Sequence, residues 1–138
     1  MKELGYTPTL KDKLVSSISK FFSKLLSVNN YFTNEIYQNI DLKNYINFEG
    51  KKIYFKTGHN RLNWRVNSFY TEEPIMIDWL KSFKESDIFL DIGANVGTYT
   101  LPAITKCKFT YASELDIKNC SLLFENLIMN DFHNKCLI

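Results

Sequence analysis

Residues 88–100 read Ile-Phe-Leu-Asp-Ile-Gly-Ala-Asn-Val-Gly-Thr-Tyr-Thr, an apolar run that ends in an acidic residue and a glycine-containing turn. The continuous apolar residues at 88–90 predict a strand of a parallel sheet that is covered on both faces. Asp91 then stands at the carboxyl end of this strand, where open α/β sheets bind their ligands. We therefore expect an α/β fold with a ligand site at this edge of the sheet.

The turn after this strand is predicted to hold the ligand closely. Gly93 and Gly97 have no Cβ, so they can adopt positive φ and let a ligand approach the backbone, and Asn95 also tolerates left-handed conformations. A helix is predicted to begin near Val96, with its free N–H groups pointing into the same crevice. The order Asp-x-Gly-x-Asn-x-Gly differs from the G-x-G-x-x-G pattern that grips a pyrophosphate. The pattern favours a cofactor that has a positively charged end and no phosphates.

Residues 89–100 closely resemble the first motif of the FkbM-type methyltransferase family, which uses S-adenosylmethionine. Upstream, residues 72–80 look like the short helix that precedes this motif in the family. Downstream, residues 112–116 (Ala-Ser-Glu-Leu-Asp) are similar to the family's second strand, and its second helix is matched by Asn119, Leu123, Asn126 and Asn130. The resemblance covers residues 70–138, about half of the chain, and implies a partial doubly wound, Rossmann-like methyltransferase sheet.

The resemblance implies a set of cofactor-binding residues, and it implies no catalytic residue. The set consists of Asp91, Gly93, Ala94, Asn95, Gly97, Glu114 and Leu115. In this assignment the glycines and the asparagine shape the loop under the methionine moiety. Asp91 receives the ammonium group directly or through water, Glu114 binds the ribose hydroxyls, and Leu115 can pack against an adenine face.

The spacing of the two acidic residues supports this assignment. Glu114 follows Asp91 by 23 residues, close to the roughly 20-residue interval after which an acidic residue meets ribose hydroxyls in nucleoside-binding sheets. We therefore expect both side chains to line one pocket at the ends of adjacent parallel strands. Taken alone, the first motif is also explained as an ordinary strand-to-helix turn.

Two positions depart from the family pattern. An aromatic or apolar residue usually precedes the second acidic residue and proline usually follows it, whereas this chain has Ser113 and Leu115 there. The missing proline removes a fixed φ from the turn. The loop that holds the ribose is therefore predicted to be less rigid.

The resemblance implies methyl transfer from S-adenosylmethionine, most simply to a hydroxyl oxygen of a sugar, a glycan or another small acceptor. Residues 1–44 are assigned to an amphipathic helical region and residues 45–138 to the first part of a methyltransferase domain. Because a doubly wound sheet ordinarily continues past its third strand, we expect a truncated methyltransferase that self-associates through its incomplete sheet. Two alternatives are a non-catalytic binding or interaction module and a nicotinamide-binding enzyme.

Composition limits the other classes of function. The chain of 138 residues is predicted to be globular, since 45% of its residues are hydrophobic and 15% are aromatic. Its 17 basic and 15 acidic residues give a net charge of +2. Such a small charge provides no strong field for nucleic acid, so no nucleic-acid partner is expected.

The cysteines and histidines predict no metal site. Cys107, Cys120 and Cys136 are odd in number and lack a C-x-x-C spacing, which argues against a disulfide framework and against a zinc site. His59 and His133 are separated from each other and from any acidic cluster with ligand spacing. Reduced cysteines, together with the lack of a recognisable signal peptide, predict a cytoplasmic protein.

Residues 9–28 have the 3.6-residue periodicity of an amphipathic helix. The apolar positions are Leu14, Val15, Ile18, Phe21, Phe22, Leu25 and Leu26, and the interleaved basic ones are Lys11, Lys13, Lys20 and Lys24. One interpretation is a helix that lays its apolar face on the domain. The other is a basic helix that lies on a membrane surface or on a partner. Charges and serines interrupt the apolar residues, so the segment is not predicted to span a membrane.

The segments before the motif are predicted from β-propensity and helical spacing. Residues 45–48 and 52–55 flank Gly50 and predict a hairpin, and residues 58–63 predict a loop. Pro74 suits the first turn of a helix. The inward face of this helix is predicted to comprise Ile75, Trp79, Leu80 and Phe83, and residues 84–87 then lead into the motif strand.

The segments after the motif continue the alternation of helices and strands. Residues 98–106 predict a helix, in which Pro102 is tolerable within the first two turns. Residues 109–113 predict the second strand, and Asp116 is expected to cap the next helix. The inward face of that helix is predicted to comprise Cys120, Leu123, Leu127 and Ile128, and residues 135–138 predict the start of a third strand.

Overall fold

The computed structural model describes residues 9–26, 42–57 and 60–138. The chain divides into two compact units, Met1–Asp41 and Leu42–Ile138, and each is described by itself. The predicted domain boundary after residue 44 stays a prediction. The predictions for Gly58, His59 and the residues between 27 and 41 lie outside the described residues.

The amino-terminal unit contains the predicted amphipathic helix, α1 (Leu10–Leu26). Its 17 residues comprise four lysines, one aspartate, four serines and eight apolar residues. In the described parts of the chain, no helix is long and apolar enough to cross a membrane.

The predicted hairpin is confirmed. Strands β1 (Lys43–Phe48) and β2 (Lys51–Lys56) pair antiparallel, with Phe48 opposite Lys51. The two-residue turn has positive φ at both Glu49 and Gly50, 47° and 82°, as the turn type that matches strand twist requires. Alternate side chains enter the core, namely Ile46, Phe48, Ile53 and Phe55.

Three short helices connect the hairpin to the parallel sheet. They are α2 (Asn60–Asn67), α3 (Phe69–Glu72) and α4 (Pro74–Ser82). The prediction of a loop at 58–63 is wrong for residues 60–63, which form the first half of α2. Leu62 and Val66 are four positions apart and both buried, so tertiary packing selects the helix in a segment that is otherwise polar.

Helix α4 begins at Pro74 as predicted, but it is rotated relative to the predicted inward face. Ile77 and Leu80 are buried, whereas Ile75 is 85% exposed and Trp79 is half exposed. The Trp79 ring contacts Phe83 and Phe89 edge-on, with centroids 4.8 and 5.7 Å away. Trp79 therefore lies at the border of the core, since its ring covers the aromatic pair from outside.

The parallel sheet consists of β3 (Ile88–Ile92), β4 (Phe109–Ser113) and β5 (Cys136–Leu137), in that order. Helices α5 (Thr100–Ile104) and α6 (Ile117–Met129) make the two crossovers, and a 3₁₀ turn (His133–Lys135) leads into β5. This alternation confirms the predicted partial α/β, Rossmann-like fold. The strands predicted at 88–90 and 109–113 are present and the loop at 84–87 is confirmed, whereas the strand predicted at 135–138 is limited to Cys136–Leu137.

The prediction that β3 is covered on both faces is wrong. Phe89 is buried, and Thr110 and Ala112 of β4 are buried on the same side. Leu90 and Ile92 point to the opposite side and are 61% and 80% exposed. Because successive side chains of a strand alternate between faces, the exposed face includes half of the apolar run.

Helix α5 begins later than predicted. Residues 95–99 form turns and the helix begins at Thr100, rather than near Val96 or at Thr98. Positive φ at Asn95 and Gly97 keeps residues 95–97 out of a right-handed helix. Pro102 falls in the first turn, where its missing N–H costs no intrahelical hydrogen bond, as expected.

Helix α6 is capped as predicted. The Asp116 carboxylate accepts hydrogen bonds from the N–H groups of Lys118 and Asn119 at 2.8 and 3.1 Å. Leu123 and Leu127 face the core, but the prediction is wrong for Ile128, which is half exposed, and Cys120 is only partly buried. The inward position beside the leucines is filled by a polar residue, Asn126, which is fully buried.

Candidate functional site

The loop after β3 has the left-handed conformations that the sequence predicts. The φ angles are 81° at Gly93, 53° at Asn95 and 88° at Gly97. Glycine adopts such angles without strain, and asparagine is one of the few other residues that does so readily. The loop therefore turns sharply at the carboxyl end of β3.

The two glycines of this loop have different roles. A Cβ at Gly97 would lie 2.3 Å from Leu101 Cδ1 and 2.6 Å from Leu123 Cδ1, so Gly97 allows the loop to pack on α5 and α6. A Cβ at Gly93 would meet no heavy atom within 4 Å. Of the two positions, only Gly93 offers the space for a ligand that the sequence assigned to both.

Glu114 connects the glycine loop to the loop after β4. One carboxylate oxygen, Oε2, accepts a hydrogen bond from the N–H of Asn95 at 2.7 Å. The other, Oε1, accepts one from the N–H of Asp116 at 2.8 Å. An ionised carboxylate has about four lone-pair positions, so each oxygen keeps one for a further donor.

Asp91 lies beside this connection, on the strand that pairs with β4. Its Oδ2 accepts a hydrogen bond from the hydroxyl of Thr100 at 2.5 Å. Burial raises the pKa of the Asp91 carboxyl, the hydrogen bond from Thr100 lowers it, and the Glu114 charge raises it further. Among the described residues, no lysine or arginine forms an ion pair with Asp91 or Glu114. The two acidic residues thus create a locally negative site.

The backbone N–H groups of the glycine loop are all engaged within the protein. Those of residues 93 and 94 donate to Ser113 O, that of Asn95 to Glu114, that of Val96 to Asn95 Oδ1 and that of Gly97 to Ala94 O. A pyrophosphate is bound through free backbone N–H groups of such a loop. Residues 93–97 therefore offer no free amide to a ligand, and the charged groups at this site are the carboxylates of Asp91 and Glu114.

Asn126 supports the loop, a role that its place in the sequence did not reveal. Its Nδ2 donates to Val96 O at 2.9 Å, and its Oδ1 accepts from the N–H of Lys56 at 2.8 Å. One turn later, Asn130 binds a single residue of the hairpin: its Oδ1 accepts a hydrogen bond from the N–H of Tyr54 and its Nδ2 donates to Tyr54 O. An asparagine in the middle of a helix, as Asn126 is, is unfavourable for the helix itself, whereas Asn130 is the C-cap of α6. The unfavourable placement of Asn126 is the signal that could have identified it.

The structure separates the predicted cofactor-binding residues into two groups. Asp91, Gly93, Asn95 and Glu114 come together at the carboxyl ends of β3 and β4. Ala94 turns its methyl group into the core, and Leu115 is 97% exposed next to Glu114. The departure at Ser113 is of small consequence here, because Ser113 contacts the loop through its backbone oxygen.

A groove of about 470 Å³ lies beside α4. Its lining residues are Glu72, Glu73, Pro74, Ile75, Met76 and Trp79, so neither Asp91 nor Glu114 belongs to it. Tyr99, the last residue of the turn before α5, interacts with Glu73 of this groove. Burial and the neighbouring Glu73 carboxylate raise the pKa of the Tyr99 hydroxyl.

The cysteines do not form a reactive site. All three are free thiols, and burial raises the pKa of Cys136 to about 11, which keeps this thiol protonated. No cluster of three or more His, Cys, Asp or Glu side chains able to hold a metal ion is found within residues 9–26, 42–57 and 60–138.

Comparisons with known proteins give little beyond this geometry. No family model matches the chain, and no curated protein matches it. A search of solved structures finds the "putative transferase PH0793" of Pyrococcus horikoshii, with 20% sequence identity and a TM-score of 0.49. The match covers 70% of this chain and 35% of that one, so this chain corresponds to about a third of that protein. Membership of the FkbM-type family stays a prediction.

Proposed function

We propose that this chain binds S-adenosylmethionine and forms part of a methyltransferase that acts on a hydroxyl oxygen of a sugar or another small acceptor. The observation that carries the proposal is the pair formed by Asp91 and Glu114 at the ends of adjacent parallel strands. Between them runs a glycine loop that is open at Gly93. This is the edge at which open α/β sheets bind nucleosides.

The charges at this edge fit the two ends of the cofactor. Asp91 is disfavoured as a carboxylate by burial and by the Glu114 charge. An ammonium group beside Asp91 offsets both effects, because an opposite charge favours the ionised form. Glu114 retains lone pairs that can accept hydrogen bonds from two ribose hydroxyls while it still holds the loop.

The hydrogen bonds of the loop argue against a nicotinamide dinucleotide. Its pyrophosphate would need backbone donors, and those of residues 93–97 already have acceptors within the protein. It would also bring two negative charges towards Asp91 and Glu114. Both effects favour a cationic nucleoside over an anionic one.

The methyl donor supplies an electrophilic methyl group, so the protein has limited chemistry to perform. Its residues must orient the donor, bring the acceptor oxygen into line and exclude water. Asp91 and Glu114 provide the orientation. Gly93 leaves the backbone accessible without a side chain in the way.

The proposal is tested by titrating the full chain with S-adenosylhomocysteine and, separately, with NAD in a calorimeter. We expect S-adenosylhomocysteine to bind and NAD to bind far more weakly or not at all. Tighter binding of NAD would replace the proposal with the nicotinamide alternative, and binding of neither ligand would refute it. Binding without methyl transfer to any tested hydroxyl acceptor would favour the non-catalytic binding module.

The variant Gly93→Asn makes the test specific to the site. Asparagine tolerates positive φ, and a Cβ at Gly93 meets no neighbour, so the fold should persist while the new side chain fills the ligand space. The matched control is Gly50→Asn, at a hairpin turn with φ 82° and equally free space. Loss of binding in the first variant alone is expected, and equal binding in both would place the ligand elsewhere.

A further inference from the structure

Helix α1 has an apolar side made of large side chains that are exposed to solvent. They are Leu10, Leu14, Val15, Ile18, Phe21 and Phe22. With 3.6 residues per turn, these positions fall within an arc of roughly 140° around the helix axis. The Phe21 and Phe22 rings meet edge to face, 5.9 Å apart, and form its broadest apolar surface. Lys11 is the one charged residue inside this arc.

The rest of the helix surface is basic and hydroxylated. Lys13, Lys20 and Lys24 follow at intervals of seven and four residues, which places them in one row along the helix. Three serines, Ser16, Ser19 and Ser23, fill the side between this row and the far edge of the apolar arc. Four lysines against one aspartate give the helix an excess of three positive charges.

We propose that α1 lies on the surface of membranes that contain anionic lipids, with its apolar arc in the acyl boundary and its lysines among the headgroups. Burial of the apolar arc alone would suit many partners. The row of lysines favours a partner whose surface is negatively charged. A negatively charged lipid surface can contact the lysines and the phenylalanines at the same time. In the part of the chain that the structure describes, no helix, α1 included, is long and apolar enough to cross a membrane. This inference is independent of the proposed function.

The test is flotation of the full chain with vesicles of phosphatidylcholine containing phosphatidylserine, compared with vesicles of phosphatidylcholine alone. We expect binding to the first, weak binding to the second, and a loss of binding at high salt, because salt screens charges at the surface. Equal binding to both vesicle types would contradict the role of the lysines. No binding to either would overturn the proposal.

Neutralising the lysine row tests the electrostatic part. The triple variant Lys13→Gln, Lys20→Gln and Lys24→Gln should partition into anionic vesicles roughly 100-fold more weakly, since each basic residue near such a surface contributes roughly fivefold. The control replaces the exposed residues Lys84, Lys108 and Lys118 of the other unit with Gln and has the same net charge. Similar losses in both variants would show that overall charge, and not α1, causes the binding.

Removing one aromatic ring tests the apolar part. Phe22→Ser should weaken partitioning by roughly tenfold, because a phenylalanine side chain that leaves water contributes at this scale. Phe124→Ser in α6 is the matched control, since Phe22 and Phe124 are 52% and 54% exposed. Binding that is unchanged by Phe22→Ser, or a dimer in sedimentation analysis without vesicle binding, would assign the apolar arc to protein contacts instead. Far-ultraviolet circular dichroism verifies that each variant remains folded.

Discussion

The backbone N–H of Asn95 donates a hydrogen bond to Glu114 Oε2 at 2.7 Å and so joins the loops that follow two adjacent parallel strands. Asn95 can present its N–H in this direction because its φ is 53°. The carboxylate that we propose to bind ribose therefore also fixes the loop beneath the ligand. Binding and local stability are coupled at Glu114, and the variants below separate them.

Replacing Asp91 by Asn should raise the free energy of unfolding of the ligand-free protein and weaken ligand binding. The amide keeps an oxygen for the Thr100 hydroxyl but removes a charge that burial and Glu114 disfavour. A gain of about 1 kcal/mol would raise the melting temperature by roughly 4–8 °C in a domain of this size. S-adenosylhomocysteine should bind roughly 10- to 100-fold more weakly, since a hydrogen bond to a charged group is lost. Asp78→Asn, on the exposed side of α4, is the control for calorimetry.

The stability of the chain should depend on pH through Asp91. Its folded-state pKa is raised above the ordinary value of 3.8, so the folded state binds more protons than the unfolded state between these two pKa values. The free energy of unfolding therefore falls as pH rises from 3.8 through the raised pKa. Thermal melts of the wild type and of Asp91→Asn across this window should diverge as pH rises. Parallel curves would show that Asp91 does not titrate in this range.

Replacing Glu114 by Gln should loosen the loop as well as weaken binding. The N–H groups of Asn95 and Asp116 each donate to one oxygen of Glu114, and Gln has only one oxygen. One of these two N–H groups would therefore face the amide nitrogen of Gln and lose its acceptor. An unsatisfied, partly buried N–H costs roughly 1–3 kcal/mol. Hydrogen exchange measured by NMR should accelerate at Asn95 or Asp116, whereas the exposed control Glu85→Gln should leave both amides unchanged.

A methyl group at Gly97 should destabilise the fold without filling the ligand space. In Gly97→Ala the Cβ would lie within 2.6 Å of Leu101 and Leu123, and φ would remain at 88°. Overpacking of this kind costs roughly 1–3 kcal/mol. Urea denaturation should show this loss, and the same measurement on Gly50→Ala, where no neighbour is close, isolates the contribution of the clash from that of φ.

Replacing Asn126 by Leu should remove the hydrogen bonds that join the hairpin to the glycine loop. The similar volume fills the buried space, but the N–H of Lys56 and the C=O of Val96 both lose their partners. We expect a loss of about 2 kcal/mol or more in the free energy of unfolding, since each unsatisfied buried group costs roughly 1–3 kcal/mol. Asn119→Leu, in the first turn of the same helix and only partly buried, is the control. Equal losses would indicate a helix effect and not a lost connection.

Local signals in the sequence predicted most of the elements. The strand at 109–113, the start of α4 at Pro74 and the cap at Asp116 were predicted at the residues where they occur. Each depends on a few neighbouring residues: an apolar alternation, a missing N–H or a carboxylate near free amides. Segment 60–63 was predicted wrongly, because the burial of Leu62 against residues distant in sequence outweighs its polar composition.

The sequence by itself determined the order of the strands and of the helices α1, α4, α5 and α6, the sharp turn at Gly93 and the presence of two acidic residues after adjacent strands. Only the tertiary structure decided which face of β3 is covered, that Gly97 serves packing, and that Asn126 holds the loop to the hairpin. The physical reason is the distance in sequence between the residues that interact. Backbone conformation follows from steric and hydrogen-bonding preferences within a few residues, whereas burial and close approach depend on side chains that the folded chain brings together from far apart.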